Sequence, residues 1–299
     1  MQNHLRKPNF FIIGAPKCGT TSLSSWLSSH PNIFMCKPKE PYFFSTDIHC
    51  ISAVKNQEDY KRLFKDVTDS HTVIGDASTT YLRSRVAVPS ILELYPDAIF
   101  IVCLRNPVEM VASVHMQLFK VRLETERSLE KAWALQDLRK KGQCLPTFCP
   151  EPTNLQYGEV CLLGEQVKRL LNKVPRHRVL FVFLEDLRNQ PQKEYQRVLS
   201  FLDIPDDNRH DFSPQNQRAE PKLLFVANTI RRFIHIKSYL GIKKSFGLGT
   251  IVNKINTKRI STVHEYSHEF LTDLQKYFTS DIEKLSNLVD RDLSKWLQP

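Results

Sequence analysis

From position 14 to position 23 the chain reads Gly14-Ala15-Pro16-Lys17-Cys18-Gly19-Thr20-Thr21-Ser22-Leu23, so a lysine, two glycines and three consecutive hydroxyls fall within one short stretch. A glycine-containing turn that opens a helix presents unpaired backbone N–H groups and a positive dipole end, and Lys17 adds a full charge to that anion site. The bland alternative is a capped strand-to-helix turn, but the coincidence of residue types favours phosphate chemistry. The glycines have the spacing of a Walker A loop, yet Thr20 follows Gly19 where that loop has its lysine, and Lys17 lies inside the turn. A nucleoside triphosphatase built on it lacks its phosphate lysine. Two other places carry chemistry. Arg105 ends an apolar run and is followed by Pro107 and Ser113, a guanidinium and a hydroxyl suited to one anion. In Lys37-Pro38-Lys39-Glu40-Pro41-Tyr42-Phe43-Phe44 one carboxylate lies beside lysines and an aromatic wall, a candidate for proton transfer against the plainer reading of a solvated charge.

Each place needs an element to present it. Asn9 to Ile13, Thr72 to Gly75, Ala98 to Leu104 and Arg178 to Leu184 read as strands. Helical periodicity covers Thr20 to Ser29, Ser90 to Leu94, Pro107 to about Phe119, Glu159 to Lys173 and Pro191 to Leu202. Strand then helix, repeated, argues for an α/β fold with a central parallel sheet flanked by helices, a three-layer sandwich. Ligands in such sheets bind beyond the carboxyl ends of the strands. Glu265 to Val289 reads as one packing helix with Phe270, Leu274, Phe278, Ile282 and Leu285 on a stripe. No linker tract or internal repeat interrupts the chain, so one domain over 1–299 is expected.

Gly14 to Leu23 resembles throughout the 5′-phosphosulfate loop of the PAPS-dependent sulfotransferases, whose pattern is close to G-x-P-K-[CSA]-G-T-[TS]-[SW]-L. The resemblance implies a P-loop-like fold, 3′-phosphoadenosine 5′-phosphosulfate (PAPS) as co-substrate, adenosine 3′,5′-bisphosphate as product, and no metal. It implies a nucleotide-binding core at about 9–203 and a helical C-terminal part at about 204–299. Ala15, Pro16, Lys17, Cys18, Gly19, Thr20, Thr21 and Ser22 then form the cofactor cradle, with Lys17 at the leaving oxygen. Arg105 and Ser113 resemble the family's 3′-phosphate site. The segment from Lys39 to Phe44 resembles the K-E-x-[HY]-F-F stretch of the heparan-sulfate-type and related bacterial members, which makes Glu40 the general base. The phenol- and steroid-type enzymes use a histidine, and none of the ten here has a comparable context.

Tyr157-Gly158-Glu159, Val179 to Leu187 and Ile282 to Trp296 resemble structural segments of the family, and Glu185 and Asp186 are expected to be satisfied by nearby donors. Three departures bear on the acceptor: Ala77 stands where the glycosaminoglycan enzymes carry lysine, Thr79 where they carry proline, and Tyr42 where they carry histidine. Lys39, Tyr42, Asp76, Ser78 and Tyr81 are the acceptor-side candidates. Arg218, Lys222, Lys258 and Arg259 are candidates for the adenine contacts. The implied reaction moves a sulfonate to a hydroxyl or amine of a carbohydrate or glycan-like acceptor.

Forty-two Lys plus Arg against thirty-two Asp plus Glu leave +10, which asks for an anionic partner. A polyanionic cofactor and an anionic small-molecule or glycan acceptor near Lys37 and Lys39 meet that demand. Two alternatives stay open: a nucleotide kinase in which Val179 to Asp186 imitates a Walker B strand, and a basic nucleic-acid-binding protein, for which no recognised motif is present. Hydrophobic residues at 41% and charged residues at 25% are ordinary globular usage and exclude disordered and collagen-like classes. The seven cysteines show no metal-site spacing, and Cys144 and Cys149 read as free thiols rather than a loop bridge. No run approaches the ~20 apolar residues of a membrane span and no signal-peptide core is seen, so a soluble cytoplasmic protein is expected, its oligomeric state open.

Overall fold

A computed structural model describes residues 7–213, 219–221, 257–259 and 266–298. The chain divides into two compact units, Met1–Gln215 with Tyr266–Pro299, and Asn216–Glu265. The first unit holds strands β1 (Phe10–Gly14), β2 (Ile33–Met35), β3 (Val73–Ala77), β4 (Ile99–Leu104) and β5 (Val179–Phe183). Their order is β2-β3-β1-β4-β5 and every pairing is parallel. All five residues of β1 and of β3 are buried. Apolar runs without polar alternation are stable in a sheet only when both faces are covered. The cover comes from α1 (Thr20–Leu27), α2 (Gln57–Arg62), α3 (Ala87–Leu94), α4 (Pro107–Lys120), α5 (Leu129–Ala134), α6 (Gln136–Lys140), α7 (Tyr157–Cys161), α8 (Leu163–Leu171), α9 (Leu184–Asn189), α10 (Pro191–Phe201) and α11 (His268–Val289).

The expected strands and the long C-terminal helix are present, with ends moved by a few residues. Two details differ for physical reasons. The pattern over Glu159 to Lys173 is two helices, because Asp281 of α11 accepts the N–H groups of Gly164 (2.7 Å) and Glu165 (2.9 Å) and starts α8 afresh. Gly164 permits that docking, since a Cβ there would lie 2.4 Å from the Asp281 carbonyl oxygen. The three-residue β2 carries too short a pattern to be read from sequence.

Strand β1 lies between β3 and β4, so the chain crosses β1 after β3 and leaves a topological switch point at the carboxyl ends of these three strands. Backbone bonds draw the three exits together. Ala15 donates to the Cys103 carbonyl (2.7 Å), Ser78 to that of Ile12 (3.0 Å) and Leu82 to that of Ile13 (2.7 Å). Gly14, at φ 148°, is the close approach: a Cβ would lie 3.0 Å from both the Leu82 Cβ and the Thr79 carbonyl oxygen.

In the second unit, β6 (Ala219–Pro221) pairs antiparallel with β7 (Thr257–Arg259). The adenine-contact candidates Arg218 and Lys222, and the side chains of Lys258 and Arg259, lie outside the described residues. All seven cysteines are free, Cys144 and Cys149 included. Among the described residues no helix is long and apolar enough to cross a membrane.

Candidate active site

The loop after β1 reaches α1 through Gly19, whose left-handed backbone (φ 91°, ψ 2°) occupies the N-cap position. Glycine has no side chain to cap with, so the helix opens without a side-chain acceptor on its first N–H groups. A Cβ at Gly19 would come within 3.0 Å of Leu184 Cδ1, which fixes how closely the loop sits on α9. Lys17 is also left-handed (φ 65°). Ala15 and Cys18 are buried, and the Cys18 thiol turns into the core, 3.8 Å from Met110 Sδ, so these two residues offer a ligand only their backbone.

The Lys17 ammonium lies 3.4 Å from Gln117 Oε1 of α4. Burial, followed by the charges of Lys120 and Arg105, holds its pKa below the usual lysine range, while Glu40 acts the other way. Arg105 is 4% exposed. Its Nε and Nη2 donate to the Glu109 carboxylate (3.1 and 2.7 Å), and Nη1 donates to the Lys17 carbonyl (3.4 Å). Ser113 is half-buried two turns into α4. Gln117 and Lys120 follow it at i+4 and i+7 and share its face. That spacing was the available signal for two residues that sequence reasoning missed.

Glu40 receives a hydrogen bond at each oxygen, from Lys39 Nζ (2.9 Å) and from Thr79 Oγ1 (2.8 Å). Its side chain is 20% exposed, so it remains reachable. Burial pushes its pKa up, but the Lys39 charge and hydrogen bonds from Tyr42, Lys39 and Thr79 outweigh burial and leave it below the ordinary carboxylate range. Tyr42 moves the opposite way: burial and the adjacent Glu40 charge raise its phenol well above its ordinary value. Thr79 had no sequence signal beyond its neighbours.

Lys39 and Tyr42 thus stand at Glu40. Asp76, Ser78 and Tyr81, expected to face the acceptor, are instead each 0% exposed. Asp76 accepts from Tyr60 (3.0 Å), Tyr81 (2.9 Å) and Ser78 (2.9 Å), and a side chain without accessible surface has no face to offer a ligand. Glu185 and Asp186 are satisfied by the C-terminal segment as expected. Trp296 Nε1 donates to Glu185 (3.2 Å), and the Arg291 guanidinium pairs with Asp186 while lying over the Phe183 ring. These two carboxylates brace the helix that supports Gly19.

A helix start without a side-chain cap, a half-buried lysine before it and a reachable carboxylate agree with the comparisons to known proteins. The sulfotransferase domain family matches residues 7–275. A bifunctional heparan sulfate N-deacetylase/N-sulfotransferase 1 of Caenorhabditis briggsae is 26% identical over 67% of this chain and 23% of its own length. A membrane-associated sulfotransferase of Dictyostelium discoideum is 32% identical over 70% of this chain and 59% of its own. The crystal structure of a sulfotransferase from Alicyclobacillus acidocaldarius superposes with a TM-score of 0.74 at 26% identity, covering 98% of this chain and 100% of that one. The chain spans less than two thirds of the length of these curated relatives. The match over most of its residues, with the parallel sheet in place, shows that this chain belongs to the sulfotransferase domain family.

Proposed function

We propose that this chain transfers the sulfonate of PAPS to a hydroxyl or amine of an acceptor, with a carbohydrate or glycan-like molecule as the acceptor class. The observation that carries the reading is that Lys17 and Glu40, from the loops after β1 and β2, lie near enough for the Glu40 charge to act on the lysine, beside a helix start with no side-chain cap. The cradle fits the co-substrate. Its helix opens without a side-chain cap, Lys17 is half-buried, and a buried arginine stands beside the loop. Residues 15–22 would hold the 5′-phosphosulfate, and Arg105 with Ser113 the 3′-phosphate. PAPS supplies an activated sulfonyl group.

The protein's own part is proton and charge management. Glu40, held ionised at neutral pH, accepts the proton of the attacking hydroxyl or amine. Lys17 neutralises charge that develops on the departing oxygen. Thr79 and Lys39 each hold one oxygen of the carboxylate, and Lys39 draws in an acceptor that carries negative charge. The carbohydrate class is supported by the heparan-sulfate enzyme among the relatives; the departures at Tyr42, Ala77 and Thr79 set this acceptor apart from heparan itself.

Calorimetry with adenosine 3′,5′-bisphosphate beside Mg-ATP tests the nucleotide. The bisphosphate should bind more tightly, and Arg105→Ala should remove the preference; tighter Mg-ATP binding would favour a kinase and sink the reading. Turnover with PAPS and a panel of glycans and small alcohols, read by mass spectrometry, tests the acceptor. Glu40→Gln should lower kcat by about 10²- to 10⁴-fold.

A further inference from the structure

Asp76 is a buried carboxylate at the exit of β3 with three hydroxyl donors around it. Burial pushes its pKa up to about 6, while three hydroxyls within 3.0 Å hold it in the ionised, accepting form. A charge held inside a core costs stability unless it is bonded, and apolar residues of similar volume would fill the place without that cost. What the carboxylate adds is direction. An ionised carboxylate only accepts, so each hydroxyl must aim its single proton inward and leave its lone pairs facing outward.

Two of those outward faces are used, and both by the segment that carries Glu40. Ser78 Oγ accepts the Tyr42 N–H (3.1 Å), and the Tyr81 hydroxyl accepts the Phe44 N–H (3.4 Å). Tyr42 and Phe44 lie two and four residues beyond Glu40. Thr79, between Ser78 and Tyr81 in the same turn, donates directly to Glu40. The third donor, Tyr60 of α2, stacks on Phe43 with ring centroids 4.4 Å apart, closing the segment from its other side.

We propose that Asp76 is the positioning residue of Glu40: through Ser78 and Tyr81 it sets the hydrogen-bond polarity of a platform on which the base-bearing segment is registered. The proposal rests on Glu40 being the base. In an Asp76→Asn protein the amide N–H₂ donates, so a facing hydroxyl turns its proton outward against the Tyr42 or Phe44 N–H and the registration is lost.

The test is a double-mutant cycle on kcat with PAPS. Asp76→Asn should lower kcat by about 10²-fold, the scale of a misplaced catalytic group, while binding of adenosine 3′,5′-bisphosphate stays within about twofold. In a Glu40→Gln background the same change should cost less than about threefold, because groups that act as one unit are not additive. Wild-type kcat in Asp76→Asn, or an equal loss in both backgrounds, overturns the proposal. If thermal melting shows that Asp76→Asn does not fold, Ser78→Ala and Tyr81→Phe take its place: each should lower kcat in the wild-type background and be silent in Glu40→Gln, and silence in both overturns it. A Glu40→Gln protein at full turnover removes the base reading itself, an outcome distinct from additive losses.

Discussion

The exits of β1 and β3 lie side by side, tied by two backbone hydrogen bonds at 3.0 and 2.7 Å, yet they are built on opposite principles. The β1 exit collects positive charge: half-buried Lys17 lies near Lys120 and the buried Arg105, which pairs with Glu109, beside a helix start with no side-chain cap. The β3 exit encloses negative charge: Asp76, with no accessible surface, surrounded by hydroxyls. Burial disfavours the ionised form in both, lowering the Lys17 pKa and raising that of Asp76. The loop is left under-compensated and therefore ready for an anion. The turn bonds its charge from within, although burial outweighs those bonds, and is therefore ready to hold something else still. Affinity for the nucleotide should belong to the first region and orientation of the base to the second.

The largest expected effect probes the cationic side. Lys17→Ala should lower kcat by about 10²- to 10³-fold, the scale of removing one donor from a developing charge, as measured by steady-state turnover with saturating PAPS. Wild-type kcat would take the leaving-group role from the loop. Gly19→Ala comes next. A Cβ at φ 91° is strained by about 1–2 kcal/mol and would press on Leu184, so adenosine 3′,5′-bisphosphate should bind about tenfold more weakly by calorimetry. Should a change in the β3 turn weaken the bisphosphate as much, the division between the two regions collapses.

The same contrast explains what was legible. The loop after β1 is one contiguous stretch, so residue type and spacing carry the chemistry proposed for it, and the strand-to-helix alternation around it carried the sheet. Glu40 could be proposed as the base for a similar reason, as part of one short segment. The β3 turn works through Tyr42, Phe44 and Tyr60, up to 37 positions from their partners. Such bonds leave no periodicity, which is why Asp76, Ser78 and Tyr81 looked like ligand-facing polar residues when they are a buried support. The Arg105–Glu109 pair shows the intermediate case, since its partners are only four positions apart, one just before α4 and one in its first turn.

Thr79 belongs to the β3 turn but touches the base directly, so it reports on the border between the regions. Thr79→Val removes a hydrogen bond that favours the ionised Glu40. The Glu40 pKa should therefore rise, and the acid limb of the kcat/KM profile should move to higher pH by about half to one unit, with bisphosphate affinity unchanged. A limb that stays in place would mean that Glu40 does not set it.

The smallest effect separates the two regions by the limb of the pH profile that it moves. Lys120 shares a face of α4 with Gln117, and its charge is the second cause, after burial, of the lowered Lys17 pKa. Lys17 acts as a cation, so activity that depends on it is present below its pKa and lost as pH rises through it. Lys120→Gln removes a like charge, raises that pKa and should move the alkaline limb of kcat upward, opposite in cause to the Thr79 effect and at the other end of the profile. Salt supplies an internal control. Screening of the Lys120–Lys17 repulsion should move the wild-type limb in the same direction as ionic strength rises, and should do little in Lys120→Gln. An equal salt response in both proteins would place the coupling elsewhere among the cations of the loop, with Arg105 the next to substitute.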